Sequence, residues 1–134
     1  MVKKEKKKKK SALKKLAEKY GLKLIILFGS FANGANKPGS DFDVAILAKD
    51  RSIVKHELDL ISAVTRALER DVDLSIINLA DPLLKYEIAR NCVLLFGNED
   101  DFIDFKVKAA AQYMDNQPFF IQEFNYIKKQ LKNL

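Results

Sequence analysis

The sequence predicts an α/β fold, a small mixed β-sheet covered by helices. Three observations carry that expectation. At 134 residues and 48% hydrophobic, the chain is long enough for one domain with a core and too short for two full ones. Its apolar runs, such as Leu24 to Phe28 and Val44 to Ala48, are short and bounded by Gly, Pro and Asp, as buried strands are. Between them lie segments whose apolar residues recur at helical spacing, so strands and helices alternate along the chain.

The elements follow in order. Ser11 to Tyr20 places Leu13, Leu16, Ala17 and Tyr20 on one helical face, with Gly21 set to end the helix, which the charged segment upstream can extend. Leu22 to Phe28 reads as a buried strand, and Gly29-Ser30 opens a turn into a short helical segment, Phe31 to Gly34. Ala35 to Ser40, containing Pro38-Gly39, is loop. Asp41 to Ala48 is the second strand, with Phe42, Val44 and Ile46 on one face and Asp41, Asp43 and Ala45 on the other. Ser52 to Glu69 carries Ile53, Leu58, Ile61, Val64, Ala67 and Leu68 at helical spacing, with Ser52 as its cap. Val72 to Leu79 is the third strand. Asp81-Pro82 forms an N-cap and first turn, opening a helix that runs to about Asn91. Val93 to Phe96 adds a short strand before Gly97, and from Glu99 the pattern is helical to the end, with a break or kink at Pro118.

The net charge of +6 is local. Residues 1–10, MVKKEKKKKK, carry seven lysines and one glutamate, while the remainder holds 17 basic and 17 acidic residues. The expected division is therefore a lysine-rich N-terminal tail, residues 1–10, and one domain, residues 11–134. Such a block is ordinarily a solvated, mobile or loosely helical extension; its other reading is a non-specific electrostatic arm for nucleic acid or an acidic partner. No apolar run approaches the roughly 20 residues of a membrane span, and the lysine-rich start lacks the apolar core of a secretory signal. The single cysteine, Cys92, excludes an internal disulfide and fits a reducing cytoplasm, where the protein is expected to reside. It reads as a small buried hydrophobe, and the single histidine, His56, as a solvated surface residue.

The chemistry gathers at the mouths of strands two and three. Asp41 and Asp43 are two apart and point to the same face of a strand, so two carboxylates crowd where apolar cover begins. That arrangement asks for a cation. In DVDLSI, residues 71–76, Asp73 is flanked on both sides by apolar residues, and neighbouring strands would bring it to Asp41 and Asp43; Asp71, at the helix-to-strand junction, is the alternative third carboxylate. Such a cluster suits hard divalent cations, and two Mg²⁺ ions about 3.5–4 Å apart can hold the attacking and leaving oxygens of an in-line phosphoryl displacement. Gly29-Ser30, opening a turn that leads into a helix, lets backbone N–H groups approach the phosphates of a nucleotide.

Gly-Ser, ten residues, Asp-x-Asp, then a strand with an aspartate between hydrophobic residues resembles the polymerase-β-type nucleotidyltransferase superfamily. The chain is most similar to the minimal nucleotidyltransferases that serve as antitoxins to HEPN toxins. The likeness extends to DPLLKYEIARNCVLLF after the third carboxylate and to the Tyr-x-Asp of FKVKAAAQYMDNQPFF, and so covers about residues 12–130. It implies a polymerase-β palm-like core with C-terminal helices. It further implies that Gly29 and Ser30 contact nucleotide phosphates, that Asp41 and Asp43 ligate two Mg²⁺ ions, and that Asp73 completes the metal site and helps activate the acceptor hydroxyl. The implied reaction moves AMP from ATP to a tyrosine hydroxyl of a cognate HEPN toxin, silencing it, within homo- or hetero-oligomers. The rival readings are a binding antitoxin without catalysis and an RNA-directed nucleotidyltransferase that grips nucleic acid through the lysine tail. Where many members carry a basic residue near the Gly-Ser, this chain has GSFANGANK, with Lys37 the nearest cation.

Overall fold

β1 (Leu22–Phe28) is the centre of the molecule: it pairs antiparallel with both β2 (Phe42–Ala48) and β4 (Cys92–Gly97), while β2 pairs parallel with β3 (Val72–Ile76), giving the order β3-β2-β1-β4. The computed structural model describes residues 2–32, 34 and 41–133. Around the sheet lie α1 (Val2–Tyr20), α2 (Glu57–Leu68), α3 (Pro82–Arg90) and α4 (Glu99–Lys132). A parallel neighbour requires a crossover, and α2 supplies it between β2 and β3.

The alternation of the strands sorts their side chains into two cores. Ile25, Val44, Ile46 and Ile76 join Leu13, Leu16 and Ala17 of α1 and Leu60, Val64 and Leu68 of α2 on one face. Leu24, Ile26 and Ala45 join Ile88 and Ala89 of α3 and Phe105 and Ala109 of α4 on the other. Leu24, Ile25, Ile26 and Ile46 are all 0% exposed, because β1 and β2 lie inside the sheet and are covered on both sides. Each such side chain contributes about 1.5–3 kcal/mol of burial.

Five local expectations change. The helix expected over Ser52–Glu69 begins instead with a 3-10 stretch, Arg51–His56, capped by Asp50, whose Oδ1 accepts from the Ser52 N–H at 2.8 Å. Ser52 is therefore the capped residue rather than the cap. Leu58 is 81% exposed and Leu60 fully buried; residues two apart lie about 200° around a helix, so only one of them can meet the sheet. The third strand stops at Ile76 and turns through a 3-10 segment, Ile77–Leu79. Asn78 then takes over from the backbone: Ala48 N–H donates to its Oδ1 and its Nδ2 donates to the Ala48 carbonyl, both at 2.9 Å. The helical segment expected over Phe31–Gly34 is a single 3-10 turn, Gly29–Phe31. Lastly, α4 is unbroken through Pro118; Pro118 and Met114, whose carbonyl loses its i+4 donor, are both exposed.

The remaining elements agree with the sequence reading. Asp81 caps α3, accepting from the Leu84 N–H at 2.8 Å, with Pro82 in the first turn. α1 runs without interruption across the junction between residues 10 and 11. His56 is exposed as expected, but Cys92, expected to be buried, is only half-buried because β4 is an edge strand; its Sγ donates to the Ala89 carbonyl at 3.5 Å. Tyr86 of α3 stacks on Tyr113 of α4, ring centroids 3.9 Å apart, locking the two helices together. Beyond that stack the same side of α4 carries Phe124, Ile127 and Leu131, each at least half exposed.

Candidate active site

The Cα partner of Asp43 on one side is Phe28 of β1, and on the other Asp73 of β3. In a parallel register directly opposed residues share a face, so the Asp43 and Asp73 carboxylates emerge together. That face is the one on which Phe28, Ala45 and Leu47 meet α3 and α4. Asp41 is exposed just ahead of β2, Asp73 is exposed, and Asp43 is half-buried between them. Asp71 plays a backbone part, its carbonyl accepting from the Phe42 N–H at 3.0 Å and starting the β2–β3 ladder.

Burial pushes the Asp43 carboxyl above the ordinary aspartate range, and the negative charges of Asp73 and Asp41 push it further. Asp73 and Asp41 are thus each within electrostatic reach of Asp43, the cluster that asks for a cation. Among the described residues no three carboxylate, imidazole or thiol groups already stand in ligating geometry. The donor set nevertheless fits Mg²⁺, which commonly takes one or two carboxylates and completes its shell with water and substrate phosphate rather than a protein cage.

Gly29 is required at its place for two reasons. Its φ of +75° belongs to the left-handed region, and a Cβ there would overlap the Asp43 carboxylate. The absence of a side chain at Gly29, just past the end of β1, is what gives the Asp43 carboxylate its room. The Gly-Ser turn is held by the Ala32 N–H, which donates to the Gly29 carbonyl at 3.1 Å. Being one turn of 3-10 helix, it has no helix dipole to offer, and it is its backbone N–H groups that can meet phosphate. Ser30 is half-exposed beside it. Lys37 lies outside the described residues. A cation the sequence reading passed over, Arg70, lies at this end of the sheet, its guanidinium 4.5 Å from the Phe31 ring centroid and 4.8 Å from that of Phe42. The one signal for it was its place immediately ahead of the Asp-Val-Asp strand.

Residues 11–101 match the family model described as polymerase beta, nucleotidyltransferase. Over 96 residues the chain is 33% identical to the protein adenylyltransferase MntA of Shewanella oneidensis, a match spanning 72% of this chain and 69% of that protein. A crystal structure of a toxin–antitoxin with AMP-PNP superposes with a TM-score of 0.76 at 28% identity, covering 89% of this chain and 98% of the other. The tri-AMPylated Shewanella oneidensis HEPN toxin in complex with MNT antitoxin gives a TM-score of 0.69 at 25% identity, covering 92% and 98%. The chain belongs to the polymerase-β nucleotidyltransferase family. Within it, the chain is of the minimal nucleotidyltransferase type found as the antitoxin of HEPN toxin–antitoxin pairs.

Proposed function

We propose that this chain is a Mg²⁺-dependent protein adenylyltransferase that moves AMP from ATP to a tyrosine hydroxyl of a cognate HEPN toxin in the cytoplasm. The observation that carries the reading is the placement of Asp43 between Asp73 and the side-chain-free Gly29, with Asp41 beside it. Likeness to MntA, and to structures holding AMP-PNP or an AMPylated HEPN toxin, supports ATP as donor and a protein as acceptor.

In this reading the backbone at Gly29 and Ser30 binds the triphosphate, and Asp41, Asp43 and Asp73 hold Mg²⁺. When bound, the metal would neutralise phosphate charge and the charge developing on the leaving group. The incoming tyrosine oxygen bonds to the α-phosphorus, and the bond from that phosphorus to the oxygen bridging the β-phosphate breaks. Pyrophosphate leaves with the electron pair, and Asp73 takes the hydroxyl proton. Residues 11–134 act as one catalytic domain, with the lysine segment 1–10 outside the chemistry. The stripe of Phe124, Ile127 and Leu131 on α4 is surface for the toxin to cover, since exposed apolar patches mark protein partners.

The test is incubation with α-labelled ATP, Mg²⁺ and the cognate HEPN protein. Label on the HEPN protein is expected, lost with Asp43→Asn. Tight binding with no label would favour a non-catalytic antitoxin, and label on RNA alone would favour the nucleic-acid reading.

A further inference from the structure

Two aromatic rings meet where the Gly-Ser turn joins the carboxylate strand. Phe31 directly follows Ser30, and Phe42 lies between Asp41 and Asp43; their centroids are 4.5 Å apart at 77°, edge to face. The Arg70 guanidinium lies over both rings, 4.5 Å from one and 4.8 Å from the other. Its backbone is pinned on each side. Glu69 adopts the left-handed conformation (φ 56°) that ends α2, the Arg70 N–H donates to the Thr65 carbonyl at 3.3 Å, and the next carbonyl, of Asp71, accepts from Phe42. The arginine is thus delivered from a third element onto the seam between the other two.

We propose that Arg70 is a positioning residue of the nucleotide site: it ties the Gly29-Ser30 turn to the Asp41–Asp43 strand by lying across one ring from each. A planar guanidinium suits this work, because it stacks on two faces of a small aromatic cluster where a lysine ammonium offers a point charge. Because the turn holds phosphate in ground state and transition state alike, loosening it weakens ATP binding more than it slows transfer. The effect on nucleotide rests on the function proposed above; the coupling of Arg70 to Phe31 does not.

The experiment compares wild type with Arg70→Met, Arg70→Lys, Phe31→Leu and the Arg70→Met/Phe31→Leu double variant. Arg70→Met should raise the KM for ATP about 5- to 20-fold, two cation–aromatic contacts each counting for a factor of roughly two to five, while kcat at saturating ATP stays within about threefold. Arg70→Lys should recover part of the loss, and the double variant should be no worse than Arg70→Met alone. An unchanged KM in Arg70→Met, with or without a lowered Tm, would overturn the proposal, as would multiplicative effects of the two single changes. Thermal unfolding of the same four variants without nucleotide provides a second cycle, in which the proposal expects non-additive shifts and additive ones would overturn it. Wild type that neither binds nor transfers ATP would sink the proposed function, and the nucleotide-free cycle would still decide whether Arg70 and Phe31 act together.

Discussion

Gly29 and Asp43 share a space that admits one side chain, and that side chain is the carboxylate. A methyl group at residue 29 would be strained by its positive φ, by about 1–2 kcal/mol, and would have to displace Asp43 as well. Displacing a catalytic group by about 1 Å can cost on the order of a hundredfold. Gly29→Ala should therefore reduce nucleotide transfer by about that factor or more while the protein remains folded by circular dichroism.

The crowding of Asp43 makes a prediction about pH. Its folded-state carboxyl titrates above the ordinary value of 3.8, so it favours folding in the protonated form. Its contribution is fully present below the ordinary value and is lost as pH rises through the folded one. At neutral pH and without metal, the ionised group works against the fold. Asp43→Asn should accordingly raise Tm in EDTA at pH 7, with the advantage shrinking as pH falls through the raised folded value and gone below the ordinary one. The same variant should lose transfer activity and most of the wild-type Tm gain on adding Mg²⁺ and ATP. A lower Tm for Asp43→Asn in EDTA at pH 7 would count against a charge cluster built for a cation.

Asp71 and Asp73 differ in what they present. Asp71 offers its backbone carbonyl to Phe42, which an asparagine keeps; Asp73 offers its side chain beside Asp43. Asp71→Asn should retain transfer within about threefold and Asp73→Asn should lose at least about a hundredfold, the low end of general acid–base effects. A radiolabel assay on both variants checks the order, and the reverse order would make Asp71 the third carboxylate.

Asn78 gives a stability prediction away from the chemistry. Its side chain forms both hydrogen bonds with the Ala48 backbone that a longer β3 would have made. Asn78→Ala strips partners from two part-buried backbone groups and should cost about 1–3 kcal/mol, read by urea unfolding. Asn78→Asp keeps the acceptor and loses the donor, and should fall between wild type and alanine at neutral pH.

The outer part of α4 separates binding of a partner from binding of nucleotide. Phe124 is 60% exposed, on a stretch of helix remote from the two cores. Phe124→Asp should leave Tm and ATP affinity unchanged and weaken capture of the cognate toxin by at least about tenfold, the scale of an aromatic anchor lost from an interface. Unchanged capture, measured by calorimetry, would place the docking surface elsewhere.

Much of this protein could be read locally. The strand β1 from Leu22 to Phe28, the Asp81-Pro82 start of α3, the short strand before Gly97 and the spacing from Gly29-Ser30 to Asp41 and Asp43 are written in hydrophobic period and turn chemistry, which act over a few residues. Other features depend on which segments become neighbours. Asp73 meets Asp43 because β3 lies parallel to β2 in register; Leu60 rather than Leu58 is buried because of the angle at which α2 approaches the sheet; β3 ends at Ile76 because the Asn78 amide replaces its backbone. Arg70 spans Phe31 and Phe42, residues 39 and 28 positions away, at a distance no local pattern can encode. Local period reports whether a residue wants cover and on which side of its own element. Strand order and the seams between elements are set by the burial of both sheet faces at once, which only the closed tertiary structure decides.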